Sequence, residues 1–235
     1  MLVAAALVPD TALLVPGSGG TVDVAATLRS AALDAVQASV ADARSLVVVA
    51  PGPRTRELTG RVVATLGAAG IPDGQLAWPP VAFGTGEDAR ASVAASVGLH
   101  LAARCGWHGA TRVVEVAPGA GLGELGASLV ADGPTGLLVV GSGSGRHGPD
   151  GPLADDERAP AYDEALLADL ADAGPAARAR LTQRPADEAA ALAVTGWAPW
   201  QVLVGAAGER AVTARLAVQQ VVAGAQHAVL SWVVA

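Results

Sequence analysis

The sequence has few of the residues that build disulfides, metal clusters and nucleic-acid surfaces. Its single cysteine, Cys105, excludes a disulfide or a cysteine-based metal cluster within one chain, which suits a reducing compartment. Lysine is absent, so all 15 basic residues are arginine, a bias typical of a GC-rich bacterium. The net charge of -7 would repel a phosphate backbone, and no basic stripe or aromatic platform offsets it. We therefore expect no nucleic-acid partner.

Aromatic side chains and long apolar runs are also scarce. Aromatic residues make up 3% of the chain and hydrophobic residues 51%, so the core must consist of alanine, valine and leucine. The apolar residues 2–8 have no basic residue before them and run into Pro9 and Asp10, which indicates a buried strand rather than a signal peptide. No stretch reaches the ~20 apolar residues that a membrane-spanning helix needs. We expect a soluble, cytoplasmic protein without a membrane partner, folded as one domain over residues 1–235.

Short apolar runs alternate with longer alanine-rich segments along the chain. Four runs end at proline or glycine, as strands covered on both faces do: residues 2–9, 46–51, 112–118 and 136–141. Helical periodicity predicts helices over residues 22–43, 57–69, 89–104, 122–131, 161–173 and 187–195. Residues 211–220 and 225–234 predict a terminal β-hairpin. The alternation predicts an α/β fold: a single three-layer domain whose central, mostly parallel sheet has helices on both faces.

Two glycine-rich segments match the spacing of a dinucleotide-binding loop. The first, residues 121–126, follows a predicted strand and opens a helix, but the next strand ends without the acidic residue that would bind a ribose hydroxyl. The second, residues 143–148, is followed by Pro149 and Pro152 where the phosphate-binding helix should begin. We interpret the first segment as a loop whose glycines let a helix pack closely.

Residues 137–168 resemble a motif of the class III extradiol ring-cleavage dioxygenases and their Memo-like relatives. The residues in register with that motif are Gly141, Ser144, Arg146, Pro149, Asp150, Pro152, Pro160, Tyr162 and Asp163. Residues 6–17 and 47–52 are similar to the family's first two strand ends, and residues 216–232 are similar to its closing segment. The resemblance weakens over residues 53–110 and 170–210. It implies a domain like the catalytic B subunit of these enzymes.

The same resemblance indicates that the family's functional residues are replaced. Its two iron-ligand histidines fall on Asp10 and Gly52, its acid/base histidine on Gly145, and its ligand glutamate on Gln219. Two histidines and one carboxylate suit ferrous iron, whereas glycine offers no donor and glutamine offers no charge. We therefore expect a divergent member of the superfamily without iron, without another cofactor and without dioxygenase activity.

A ligand pocket is still expected beyond the carboxyl ends of the strands, where open α/β sheets bind ligands. Glycines in place of histidines would open volume there, and hydroxyl and guanidinium groups would favour a small anionic ligand. The candidate residues are Asp10, Gly52, Arg54, Ser142, Ser144, Gly145, Arg146, His147, Tyr162 and Gln219, with Ser18 as a further hydroxyl. In the alternative interpretation, Arg146 pairs with Asp150, Asp155 or Asp156 at the surface. The sequence is compatible with a homo-oligomer.

An enzyme of another class is the second interpretation. His147 and His227 are placed to point into the same pocket, whereas His100 and His108 are expected to be structural. Such an enzyme would use a relocated metal site, or Ser142 or Ser144 with His147 and an aspartate from residues 150–163. The serines do not form a nucleophile elbow, because a glycine occupies the central position. Serine, histidine and carboxylate side chains within hydrogen-bond distance of one another would favour an enzyme over a binding module.

Overall fold

The computed structural model describes residues 1–20, 22–149 and 151–234 of the chain. The strands are β1 (Leu2–Val8), β2 (Ser45–Pro51), β3 (Arg56–Leu58), β4 (Arg61–Val63), β5 (Ala82–Phe83), β6 (Asp88–Arg90), β7 (Ala110–Val116), β8 (Thr135–Val140), β9 (Val212–Val222) and β10 (Ala225–Val234). The helices are α1 (Ala26–Val40), α2 (Val93–Arg104), α3 (Leu122–Leu129), α4 (Ala159–Asp172), α5 (Pro175–Gln183), α6 (Ala186–Ala191) and α7 (Trp197–Ala207).

A seven-stranded sheet forms the middle layer, in the order β3-β7-β2-β8-β1-β10-β9. The four inner strands β7, β2, β8 and β1 are parallel neighbours, and β3, β10 and β9 pair antiparallel at the two margins. The parallel strands are apolar along nearly their whole length because helices cover both faces. The four predicted strands and the terminal hairpin are confirmed.

Two hydrophobic clusters form the core, one on each face of this sheet. On one face, α1 and α2 pack together with a small sheet of order β5-β4-β6. On the other face, α3 to α7 pack through residues such as Leu166 and Leu203. The predicted α/β fold with helices on both faces is confirmed. Within the described ranges, no helix has both the length and the hydropathy that crossing a membrane requires.

The helix predicted over residues 57–69 is wrong. In the structure β3 pairs with β7, and β4 lies between β5 and β6 in the small sheet. Gly60, between β3 and β4, has a φ of +87°, a left-handed conformation that interrupts any helix. The β-branched Val62 and Val63 then pair with neighbouring strands. Tertiary strand pairing therefore overrides the local periodicity, and α2 begins only at Val93, after β6 and the capping residue Ser92.

Candidate functional site

Three hydrogen-bonded side chains lie where β1 and β8 end. These two strands are parallel neighbours and β10 runs antiparallel to β1, so their carboxyl ends and the start of β10 meet at one edge of the sheet. There the Ser142 hydroxyl donates to Asp10 Oδ1 at 2.5 Å and lies 2.9 Å from His227 Nδ1. The structure thus brings together two predicted pocket residues and one of the two histidines predicted to face them.

Whether Ser142 can act as a nucleophile depends on which atom of this cluster accepts its hydroxyl proton. Ser142 has one hydroxyl proton, which Asp10 accepts, so His227 Nδ1 must donate to Oγ, a tautomer assigned from the hydrogen-bond geometry. Burial lowers the pKa of His227, against a smaller opposing effect of the Asp10 carboxylate. A serine nucleophile needs the reverse order, with histidine accepting the hydroxyl proton. With the protons in this order, the cluster joins the ends of β1 and β8 to β10, and Ser142 donates to Asp10 and not to His227.

Gly52 does not provide the open volume expected at its position, whereas Gly145 has room for a Cβ. A Cβ at Gly52 would lie 2.8 Å from Glu115 Cβ, because the buried Glu115 packs directly against this glycine. Glu115 in turn binds Arg56 at 2.6 Å and accepts the Ser92 backbone N–H at 2.7 Å. A Cβ at Gly145 would make ordinary van der Waals contacts with its neighbours. At Gly52, packing against a fixed carboxylate replaces the expected space.

Arg146 binds backbone carbonyls of the protein itself. Its Nε donates to the Ala191 carbonyl at 2.7 Å, and its Nη1 donates at 3.1 Å to a carbonyl in its own loop. Asp156, one of its predicted partners, binds Arg158 at 2.7 Å, and this arginine lowers the pKa of Asp156 to about 2. Asp150, another predicted partner, lies outside the described residues. Arg146 therefore joins the loop after β8 to the end of α6.

Three other predicted pocket residues lie apart from these clusters. Arg54 is exposed to solvent in the turn before β3. Tyr162 is buried on α4, and the Arg184 guanidinium lies 5.2 Å from the centre of its ring. The Ser18 hydroxyl donates to the Ala12 carbonyl at 2.7 Å. None of these contacts involves Asp10 or Ser142.

His147 and Asp163 form a second polar pair, between the loop after β8 and α4. His147 Nε2 lies 2.7 Å from Asp163 Oδ2, and the Ser144 backbone N–H donates to both carboxylate oxygens. Burial raises the pKa of Asp163, with the hydrogen bonds from His147 and Ser144 opposing it. The Ser144 hydroxyl is fully buried and donates to the Leu192 carbonyl at 2.7 Å. His147 therefore has the aspartate that the serine hydrolase interpretation requires, but not the serine.

The pair of His147 and Asp163 lies beside a groove between α4 and β9, with a volume of about 560 Å³. The lining residues are His147, Pro160, Asp163, Glu164, Leu167, Ala168, Ala171, Leu216, Gln219, Val221 and Gln226. Apolar side chains from both elements make up most of this lining. The described lining contains two carboxylates and no arginine, so the groove favours a neutral or cationic molecule over an anion.

Gln219 reaches this groove from the hairpin, on the face opposite to His227. The register pairs Gln219 with Ala228 and His227 with Gln220, and successive side chains of a strand point to opposite faces. The predicted pocket is thus two separate clusters, one with Asp10 at the sheet edge and one with Gln219 in the groove. Across the described residues, no group of three or more His, Cys, Asp or Glu side chains could hold a metal ion. Of the residues predicted at the family's ligand positions, Gly52 has no side-chain donor and Gln219 lies in the separate groove, so this set does not fit ferrous iron.

Two residues of these clusters, Glu115 and Gln226, are not among the sequence-predicted ones. Glu115 has a recognisable signal, since it is the one acidic residue within the apolar strand β7, where a charge is costly unless it is paired. Gln226 backbone groups pair with Ser144 and with residue 143, which aligns the loop after β8 with the start of β10. Nothing in the sequence indicates that pairing.

No protein-family model matches this sequence, and no curated protein matches it. The structure is similar to the crystal structure of an uncharacterized protein, JW3007, from Escherichia coli K12. The two have a TM-score of 0.51 and 14% sequence identity, over 98% of this chain and 99% of that chain. At this identity the similarity concerns the fold alone.

Proposed function

We propose that this chain is a divergent member of the class III extradiol dioxygenase superfamily that does not cleave aromatic rings and binds a small molecule in the groove between α4 and β9. The observation that supports binding is the 2.7 Å hydrogen bond between His147 and Asp163 at the wall of a groove of about 560 Å³. Small-molecule sites commonly have volumes in this range, with apolar walls and a few fixed polar groups.

Loss of ring cleavage follows from the residues at the family's ligand positions. Asp10 is bonded to Ser142, Gly52 has no donor atom, and Gln219 lies in the separate groove. We expect protein purified without chelators to contain no stoichiometric iron. We also expect no ring-opened product from protocatechuate or catechol above a protein-free control, even with added ferrous iron. One equivalent of bound iron, or a ring-opened product, contradicts this part of the proposal.

The carboxylates that line the groove favour a neutral ligand over an anionic one. Catechol and protocatechuate can test this preference. Catechol is neutral, whereas protocatechuate has the same ring with a carboxylate, which Asp163 and Glu164 would repel. We expect catechol to shift the backbone amide resonances of groove residues in a saturable way, and protocatechuate to bind more weakly. His147→Gln should weaken catechol binding, and His108→Gln, at an exposed position, should not.

Protocatechuate binding as tightly as catechol would contradict the neutral-ligand proposal. It would favour the anionic ligand expected from the sequence, which would then have to bind outside the groove, at Arg54 or at the remaining N–H groups of Arg146. Arg146→Ala would weaken binding in that case. If neither probe causes a saturable shift in the wild type, the groove does not bind phenols.

General acid–base catalysis without a metal is a second candidate function. The buried carboxylate of Asp163 orients His147, which is the arrangement of a general base and its supporting group. Neither Ser142 nor Ser144 donates its hydroxyl proton to a histidine. We therefore expect a fluorophosphonate probe to leave both serines unmodified when the protein is analysed by mass spectrometry. Labelling of either serine would favour the serine hydrolase mechanism instead.

A further inference from the structure

His100 on α2 is the most deeply buried histidine, with 2% of its surface exposed. Neither of its ring nitrogens has a hydrogen-bond partner within the part of the chain that the structure describes. Buried polar atoms are nearly always paired with protein or water, since an unpaired one loses its hydration without compensation. An imidazole with two unpaired nitrogens can therefore bind water or a small molecule from outside the chain.

A small cavity provides room for such a partner. It has a volume of about 100 Å³ and is lined by Trp78, Pro79, Val81, His100, Ala103 and Arg104. The Trp78 and His100 rings are 6.4 Å apart between centroids and tilted by 43°. Drug-sized ligands need several times this volume, so only a molecule of a few non-hydrogen atoms fits. The cavity lies on the α1–α2 face of the sheet, opposite to the groove beside α4.

The charges around the cavity indicate which chemical group would occupy it. Burial lowers the pKa of His100, against a smaller opposing effect of the Asp73 carboxylate. A neutral imidazole has one N–H donor and one acceptor nitrogen. Arg104 is exposed to solvent and also lines the cavity, and the fork geometry of a guanidinium matches a carboxylate. Trp78, Pro79 and Val81 supply apolar walls between these two polar groups.

We infer that this cavity binds a short-chain carboxylate. The carboxylate group binds Arg104 at the rim, the alkyl chain packs against Trp78, and the His100 imidazole N–H donates to the inner carboxylate oxygen. The site is separate from the groove of the proposed function and does not depend on it.

Titration of the wild-type protein with propionate tests the inference directly. The protein is labelled with ¹⁵N in its four histidines, and the ring resonances of His100 are followed. Propionamide serves as the neutral probe of the same shape. We expect a saturable shift of the His100 signals with propionate, and binding of propionamide weaker by about tenfold or more, as for loss of a charged hydrogen bond.

Two arginine variants distinguish binding in this cavity from a general effect of the protein's charge on propionate binding. Arg104→Gln should weaken propionate binding by about tenfold. Arg44→Gln changes another exposed arginine, which does not line the cavity, and should leave the affinity unchanged. The wild-type titration needs no substitution of the buried His100, so a folding defect cannot obscure the result. The inference is overturned if propionate leaves the His100 signals unchanged, which would mean a cavity filled by water only. Equal binding of propionamide, or equal effects of the two variants, would also overturn it.

Discussion

Helices α3 and α7 approach each other so closely that one added methyl group should measurably destabilise the protein. A Cβ at Gly126 on α3 would lie 2.0 Å from the Val202 carbonyl oxygen and 2.8 Å from the Ala206 nitrogen of α7. In the reverse direction, a Cβ at Gly205 on α7 would lie 2.1 Å from the Gly123 carbonyl oxygen of α3. The interpretation of residues 121–126 as a segment for close helix packing matches these distances.

Gly126→Ala requires the two helices to move apart by roughly 1 Å or more before ordinary contact distances return. Overpacking of this kind costs about 1–3 kcal/mol, and the obstacle here is helix backbone, which cannot change rotamer. Replacing a helical glycine by alanine offsets roughly 0.5–1 kcal/mol of that cost through the unfolded state. We expect the free energy of unfolding to fall by about 1–2 kcal/mol, and Tm by roughly 2–8 °C for a chain of this size.

Gly123→Ala is a matched control three residues away on the same helix. A Cβ at this position meets no atom within 4 Å, so only the gain in helix propensity remains. We expect this variant to be more stable than the wild type by about 0.5–1 kcal/mol. Urea unfolding followed by circular dichroism measures both changes. If Gly126→Ala is as stable as the wild type, or if both variants shift stability in the same direction, the close approach of α3 and α7 is refuted.

Two further predictions concern buried carboxylates. Glu115→Gln should lower the free energy of unfolding by about 2 kcal/mol because Arg56 loses its charged partner, whereas Glu57→Gln, in an exposed ion pair, should change it by less than about 0.5 kcal/mol. Equal losses of unfolding free energy in the two variants would contradict this prediction. Burial raises the pKa of Asp163 above 3.8, so the wild type should lose stability relative to Asp163→Asn as the pH rises from below 3.8 through the raised pKa. Urea unfolding from about pH 3 to about pH 6 tests this, and a pH-independent difference between the two proteins would contradict it.

The sequence predicts the inner sheet well for a simple physical reason. Strands covered on both faces must be apolar throughout, so β1, β2, β7 and β8 appear as short apolar runs bounded by proline or glycine. Helix α7 has no such signal, because it is buried almost all round and therefore lacks the amphipathic period of a surface helix. The helix predicted over residues 57–69 is wrong for a different reason. There the local pattern indicates a helix, but pairing with neighbouring strands stabilises these residues more than a helix would.

The candidate site is only partly predictable. Parallel strands end at the same edge of a sheet, so the meeting of Asp10 and Ser142 follows from the strand assignment. The hydrogen bond from Arg146 to the Ala191 carbonyl cannot be predicted from the sequence, because Ala191 lies in the segment where the resemblance to the extradiol family weakens. Asp163 belongs to the segment that resembles the family motif, but only the packing of α4 against the loop after β8 shows that it is buried and paired with His147.

The position of β1 has a consequence for how the chain is made. This first strand lies between β8 and β10, so residues 2–8 pair with residues 135–140 and residues 230–233. A ribosome-bound chain that has not yet exposed β10 presents an apolar strand with one open edge, and closing that edge requires contacts between residues more than 200 positions apart. Such non-local pairing is slow and leaves unpaired edges exposed to other chains. We therefore expect the β1 edge of the central sheet to close only after β10 has left the ribosome, with β1 as the segment most in need of protection by a chaperone.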